Sequence, residues 1–530
     1  MIATLTPYQG SWDQSTARHL LKRTVFGATK EQVDAFAAKG ISACLDQLLD
    51  DSAPQPSPPV KEYNSSAAAS PDTLIAAGQT WVNDPNNDGT VAALRRASFK
   101  KWWVGRLIFQ EATLREKMTL FWHNHFATES ADVGNAQYVY KHHQLLRSHA
   151  LGNIKALTRS VSVDPAMLVY LNGQNNNRTA PDENYSREIQ ELFVIGKGPG
   201  AGFTEADVKA AARVLTGWRN NATKIESFFD STRHDTTNKE FSSFYGGKII
   251  AGRTGPTAGD QELDNLITML FSVEEASLFL CRKLYRWFLY YEITSEVEAS
   301  VIAPLAKIMR DNNFEVKPVL RALLSSSHFY ETTYIGAQIK SPADMLIGML
   351  RETDVQFASA DAYAINYPLW NQLVAYLTNM QQNLGDPPDV SGWKAFYQEP
   401  GFYEYWINTD TLPKRIQYLD ILATTGYTMN GFKVAVNGVN LVRKFSRPEN
   451  PNFLIDDLVN HLLGIGITPA HKTQLKRDIL LAGQSEDYYW TNAWETYVAT
   501  PSNAANTKHV TTAITSLVKY LMNLPEYQLM

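Results

Sequence analysis

Four side chains after Asp182 have the types and spacing that chemistry needs. On a helix turning about 100° per residue, Asn184, Arg187, Glu188 and Glu191 share one face, and Tyr185, Ile189, Leu192 and Phe193 form the apolar face beside it. Two carboxylates three residues apart suit a hard or borderline divalent cation, and Glu-rich faces hold metals inside helical bundles. The same spacing also describes a solvated face with an Arg187–Glu191 pair at i, i+4, worth a few tenths of a kcal/mol.

Histidines supply the next candidates. His125 continues a helical stripe of Leu114, Met118, Phe121 and Trp122. His123 projects to the opposite side if that helix persists, and to the same side only if the chain becomes extended, the one case in which both could bind one metal. A core histidine satisfied by a backbone carbonyl explains His125 equally. His142 and His149 repeat the helical spacing with Leu145 and Leu146, for which packing is the simpler role. His234 and Asp235 lie together in a loop, competent as ligands or as a base with its orienting carboxylate, or as a plain Asx-type turn. Trp393, Phe396, Tyr397, Phe402, Tyr403, Tyr405 and Trp406 could line a carbohydrate-binding groove, or simply anchor loops to an aromatic core.

Other chemistries are absent from the sequence. No Gly-x-Ser-x-Gly elbow, Walker loop, His-Glu-x-x-His or Cys-x-x-Cys motif occurs, and Gly198–Gly202 has no preceding strand to make it a phosphate cradle. The two cysteines, Cys44 and Cys281, give neither a disulfide framework nor a thiolate zinc cluster. With 49 basic against 54 acidic residues, a net charge of −5 and no Lys/Arg block, nucleic acid is a poor partner. No stretch approaches 18 uninterrupted apolar residues, and the start has no basic-then-apolar leader, so the chain as written reads as soluble and cytoplasmic.

The elements that must position these residues are helical. At 530 residues the chain is longer than one compact unit usually is. The pattern divides it into an N-terminal helical subdomain (1–218) with a long proline-rich and polar surface loop (52–90), a loop or hairpin insert (219–260), a central helical subdomain (261–425) and a C-terminal helical module (426–530). Thr29 opens a helix, Asp164-Pro165 reads as an N-cap with first-turn proline, and Thr204 with Asp207 reads as a capping box. Helices are expected over about 261–291, 297–311, 317–327, 341–353 and 368–382. The fold class is all-α, with a small β-hairpin around 225–250 marked by Phe228, Phe229, Phe241, Phe244 and Tyr245 among Gly and Asn turns.

Nine segments in order resemble the DUF1800 family, an uncharacterised bacterial family. They are 17–27, 120–126 (Leu-Phe-Trp-His-Asn-His-Phe), 164–172, 183–193, 203–208, 212–218, 234–235, 339–342 and 387–393 (Pro-Pro-Asp-Val-Ser-Gly-Trp). Ser186 stands where alanine is usual in that pattern, and Leu384-Gly-Asp replaces a more apolar run. The resemblance implies a helical fold and no settled reaction. It also implies relatives that often carry an export signal, so an exported chain with its leader removed would read the same way.

Together these residues suggest a divalent-metal site with His125, Glu188, Glu191 and Asp235 as ligands. A metal-activated water would attack an ester, glycan or phosphate, with Glu188 or His234 as base and Asn184, Arg187, Trp393 and Trp406 contacting substrate. The same ligands with iron or copper would serve oxidative chemistry instead. A different class of reading is a non-catalytic scaffold that binds a polysaccharide or protein partner through the aromatic segment 386–406.

Overall fold

The computed structural model describes residues 4–530; residues 1–3, where a leader would be sought, lie outside it. Among the described residues helix covers 56% and strand 5%, confined to small hairpins, so the fold is mainly α. No helix is long and apolar enough to cross a membrane.

The local signals at helix starts act as their chemistry dictates. Asp13 caps Gln14–Thr24, and Thr29 and Gln32 close a reciprocal box on Lys30–Lys39. Asp164 accepts from the Ala166 and Met167 amides at the start of Pro165–Tyr170, and Thr204 pairs with Asp207 at the start of Glu205–Val214. Between the first two helices the chain turns at Gly27, whose φ is +76°. A Cβ there would sit 2.5 Å from Gly348 Cα, so glycine alone lets this turn lie on the backbone of helix Pro342–Glu352.

Three elements differ from the sequence expectation. The stretch 261–291 is two helices, Ala258–Leu270 and Glu274–Phe288, broken at Phe271–Val273. Pro368 lies inside helix Tyr363–Asn379 instead of opening it. The region 219–260 holds two short antiparallel pairs, Trp218–Asn221 with Glu226–Phe229 and Lys239–Glu240 with Ile249–Ile250, and a third hairpin joins Tyr427–Met429 to Phe432–Val434. The excursion 52–90 lacks regular structure up to Asp88 but is pinned. Trp81 is fully buried, and buried Arg95 holds Asp72 at 2.8 Å and Asp84 at 2.5 Å.

One continuous apolar cluster runs from Ala17 to Tyr527. Several histidines are sealed into or beside it. His143 has neither ring nitrogen hydrogen-bonded and stands edge-on to Trp103, with ring centroids 4.5 Å apart. Burial pushes His19 and His123 down to about 3 and His461 to about 4, and takes His125 and His143 well below the ordinary range.

These depressed values fix a pH dependence. The unfolded chain, with histidines near an ordinary pKa of about 6.5, takes up protons that the folded chain refuses. The stability these groups contribute is therefore complete above about pH 6.5 and is lost progressively as pH falls toward about 3. The melting temperature is expected to fall by several degrees between pH 7 and 5, before most carboxylates titrate. Scanning fluorimetry across that window checks it, and a flat profile would contradict it.

Candidate functional site

The helix singled out by its carboxylates is not regular throughout. Asn184–Glu188 is α-helical, and Ile189–Val194 widens into a π turn, a local irregularity frequent at functional sites. Glu188 and Glu191 remain neighbours, and burial followed by Glu191 raises the Glu188 carboxyl. Their surroundings are a surface ion-pair network. Glu191 lies 2.7 Å from Lys197 and 3.5 Å from Arg187, and Arg187 reaches Glu183 at 3.1 Å and Glu205 at 2.7 Å. Exposed Asn184 sits at the helix start, its amide held by Asp182.

The remaining expected ligands face elsewhere. Helix Arg115–His125 persists to its last residue, so His123 and His125 diverge. His123 packs among Trp103, His142 and Trp393. His234 and Asp235 also part company. The His234 Nδ1 donates to the Thr216 carbonyl at 2.9 Å while Nε2 lies 3.0 Å from Glu262, all buried. Although burial works to raise the Asp235 carboxyl, hydrogen bonds from Arg213, at 2.8 Å, and Thr237 hold it well below the ordinary range. Among the described residues no three His, Cys, Asp or Glu side chains gather to hold a metal ion. His125, Glu188, Glu191 and Asp235 thus do not form one ligand set: His125, Glu191 and Asp235 are each committed to a different partner, and Glu188 keeps a buried carboxylate oxygen with no hydrogen bond.

His125 opens instead onto a narrow cleft with about 40 Å³ of free space inside it. Its Nε2 lies 2.9 Å from the Phe193 carbonyl oxygen. That oxygen can only accept, so Nε2 carries the proton and Nδ1 offers a lone pair. Lys283 Nζ sits 3.1 Å from this Nδ1 and 3.2 Å from the Leu192 carbonyl. The π turn therefore contributes to the site through its final carbonyls, which have no intrahelical donor, and not through its carboxylates.

Burial, followed by the nearby Arg286 charge, brings Lys283 down to about 7. Arg286, one turn further along helix Glu274–Phe288, also lines the cleft. It donates to the Tyr291 carbonyl at 3.1 Å and lies over the Phe402 ring at 4.8 Å. Among the described residues neither Lys283 nor Arg286 forms an ion pair. Lys117, the third cation here, is neutralised by Asp344. Trp287, Phe396, Tyr403 and Trp406 wall the space, with Trp287 and Phe396 centroids 4.4 Å apart. Trp406 also borders a more open neighbouring groove lined by Trp393, Asp386 and Lys394.

Two loops close this cleft. The Asn124 Oδ1 accepts from the Trp393 amide at 2.9 Å, and Gly392, at φ +92°, packs so tightly that a Cβ would lie 2.3 Å from that oxygen. Ser341 caps helix Pro342–Glu352 and donates to Asp344 at 2.7 Å, which sets the carboxylate facing Lys117. Segments 120–126, 339–342 and 387–393 all supply lining residues, and 183–193 supplies the two carbonyls.

A family model described as "Protein of unknown function (DUF1800)" matches residues 19–529. The chain belongs to the DUF1800 family. Neither a search of curated proteins nor one of solved structures finds a match. In this DUF1800 chain, several segments that carry the resemblance therefore meet at one cleft.

Sequence reasoning placed His125 and Trp406 at a site and missed Lys283, Arg286, Lys117 and Asp344. A signal existed for Lys283. It stands three residues after Leu280 and four before Trp287, on the buried stripe of its helix, where a lysine is costly.

Gly392→Ala is expected to lower stability by more than about 1 kcal/mol, because alanine disfavours positive φ and its methyl would strike Asn124. Ser391→Ala, one residue away, is expected to stay within about 0.5 kcal/mol of the parent. Equal melting temperatures for the two variants would contradict this account of loop closure.

Proposed function

We propose that this protein binds a small organic anion in the cleft between helix Glu274–Phe288 and the aromatic segment 393–406. The observation that carries this is the pair Lys283 and Arg286. Both line the cleft from one helix, and among the described residues neither has a carboxylate at ion-pair distance, the Glu399 charge reaching Arg286 only from further off. A half-buried cation with no carboxylate in contact is poorly solvated, and a ligand carboxylate or phosphate supplies that contact. The aromatic walls favour a ligand with a flat or apolar body.

This choice keeps the aromatic segment as a binding surface but changes its ligand. A neutral polysaccharide offers nothing for two cations to meet. Trp393 and Trp406 are nearly fully buried, as side walls of grooves and not as an exposed platform for a glycan or protein partner. Metal-dependent hydrolysis or oxidation would require His125, Glu191 and Asp235 to leave their present partners and converge with Glu188.

Calorimetry with a panel of aromatic carboxylates and phosphates tests the proposal. Arg286→Gln is expected to weaken the tightest binder by about 1.5–3 kcal/mol, the usual worth of a hydrogen bond to a charged group, or roughly ten- to a hundredfold in Kd. Its circular dichroism should be unchanged. Absence of binding across the panel, or equal affinity in Arg286→Gln, would sink it.

A further inference from the structure

We propose that Lys283 forms a covalent imine with a carbonyl-bearing organic anion held in the cleft, a step that rests on the anion-binding proposal above and names the class of ligand it takes.

Stereochemistry carries the case. A neutral amine has two N–H donors and one lone pair, whereas an ammonium has three donors. Lys283 Nζ finds two acceptors in the protein, the Nδ1 lone pair of His125 at 3.1 Å and the Leu192 carbonyl at 3.2 Å. Neither acceptor is charged. His125 cannot turn its other nitrogen toward the lysine, because Nε2 is fixed on the Phe193 carbonyl at 2.9 Å. With both N–H bonds directed at these acceptors, the remaining tetrahedral position of Nζ is left for the cleft that Lys283 lines. In the neutral amine that position is the lone pair, which is the nucleophile.

Opposed effects act on the amine: Nζ lies over the Phe279 ring, 5.0 Å from its centroid, which favours the charged form, while burial and Arg286 favour the neutral one. The charge turned toward the cleft from Lys283's own helix is positive, namely Arg286, and the one side-chain carboxylate that lines the cleft, Asp344, is taken by Lys117. Burial beside a second cation brings Lys283 down to about 7, so near neutral pH it serves an anion as ammonium and a carbonyl carbon as free amine, an arrangement that activates lysine amines.

The step balances without a cofactor or redox partner. The Nζ lone pair forms an N–C bond to the carbonyl carbon and the C=O π pair moves to oxygen. The two amine protons pass to that oxygen, which leaves as water, and the C=N bond remains. Arg286 holds the anionic end of the ligand, one helical turn from the amine.

Borohydride trapping tests this on the unmodified full-length chain. The protein is incubated at pH 7 with 4-carboxybenzaldehyde, an aromatic aldehyde bearing a carboxylate, reduced with sodium borohydride, and mapped by peptide mass spectrometry. At that pH exposed lysines are almost wholly ammonium. The expected result is a single reduced adduct concentrated on Lys283 and suppressed by excess benzoate. Lys283→Arg should lose the adduct; because the mapping uses the parent chain, the test does not depend on that variant folding.

If calorimetry shows one benzoate bound while the adduct falls on exposed lysines such as Lys224 and Lys307 and leaves Lys283 bare, the covalent step is overturned and anion binding stands. If benzoate does not bind and Lys283 takes no adduct, both are overturned.

Discussion

Everything distinctive about the cleft depends on how one helix ends. The π turn at Ile189–Val194 leaves the Leu192 and Phe193 carbonyls without intrahelical donors, and they accept from Lys283 and His125 instead. That pair of contacts fixes the tautomer of His125, which in turn determines that Lys283 meets a lone pair and not another N–H. Two opposed effects act on the lysine there. The negative end of a helix favours a cation by about 0.3–1 kcal/mol. A fall of the lysine pKa to about 7, at about 1.36 kcal/mol per unit, represents several kcal/mol the other way. Burial beside Arg286 therefore outweighs the helix end, and the amine is poised to lose its proton near neutral pH.

The rest of the fold holds three distant parts of the chain against that point. Helix Arg115–His125 brings Lys117, Asn124 and His125 to the cleft from one strip of residues. Asn124 fastens the 387–393 loop, and the Lys117–Asp344 pair ties the same helix to Pro342–Glu352. Both charges of that pair are buried, so its net worth is small, but removing one partner strands the other at a cost of about 3–5 kcal/mol. Such a pair specifies position more than it adds stability. It also occupies the one side-chain carboxylate that lines the cleft.

Much of the architecture was legible in the sequence because its signals are local. The caps at Thr29, Asp164 and Thr204 and the stripe ending at His125 need only neighbours within a few residues, and they appear in the structure as read. The hairpin at Tyr427–Val434 had a local signal too, Asn430-Gly431, with φ of +50° and +78°. The break at Phe271–Val273 and the π turn were hidden, since both sequences keep helical periodicity and only packing decides where the ladder yields.

The site was legible by half. Residue type and spacing drew attention to the right helix at 183–193 and to His125, but for two carboxylates, of which Glu191 serves a surface network with Arg187 and Lys197. What that helix brings to the cleft is backbone carbonyl oxygen, which no side-chain motif announces. Lys283, 158 positions from His125, could be joined to it only by the tertiary fold, and the neutrality of its surroundings is a property of burial that a single sequence does not display. The cleft thus gains its chemistry from which charges are paired elsewhere.

The most direct measurement is the titration of Lys283 itself. Nitrogen-15 and carbon-13 NMR of lysine-labelled protein, with the Lys283 signal assigned by comparison with Lys283→Arg, would follow its protonation while His125, Arg286 and the Lys117–Asp344 pair surround it. A midpoint near about 7 is predicted; a midpoint near the ordinary lysine value of about 10.4 would contradict the account.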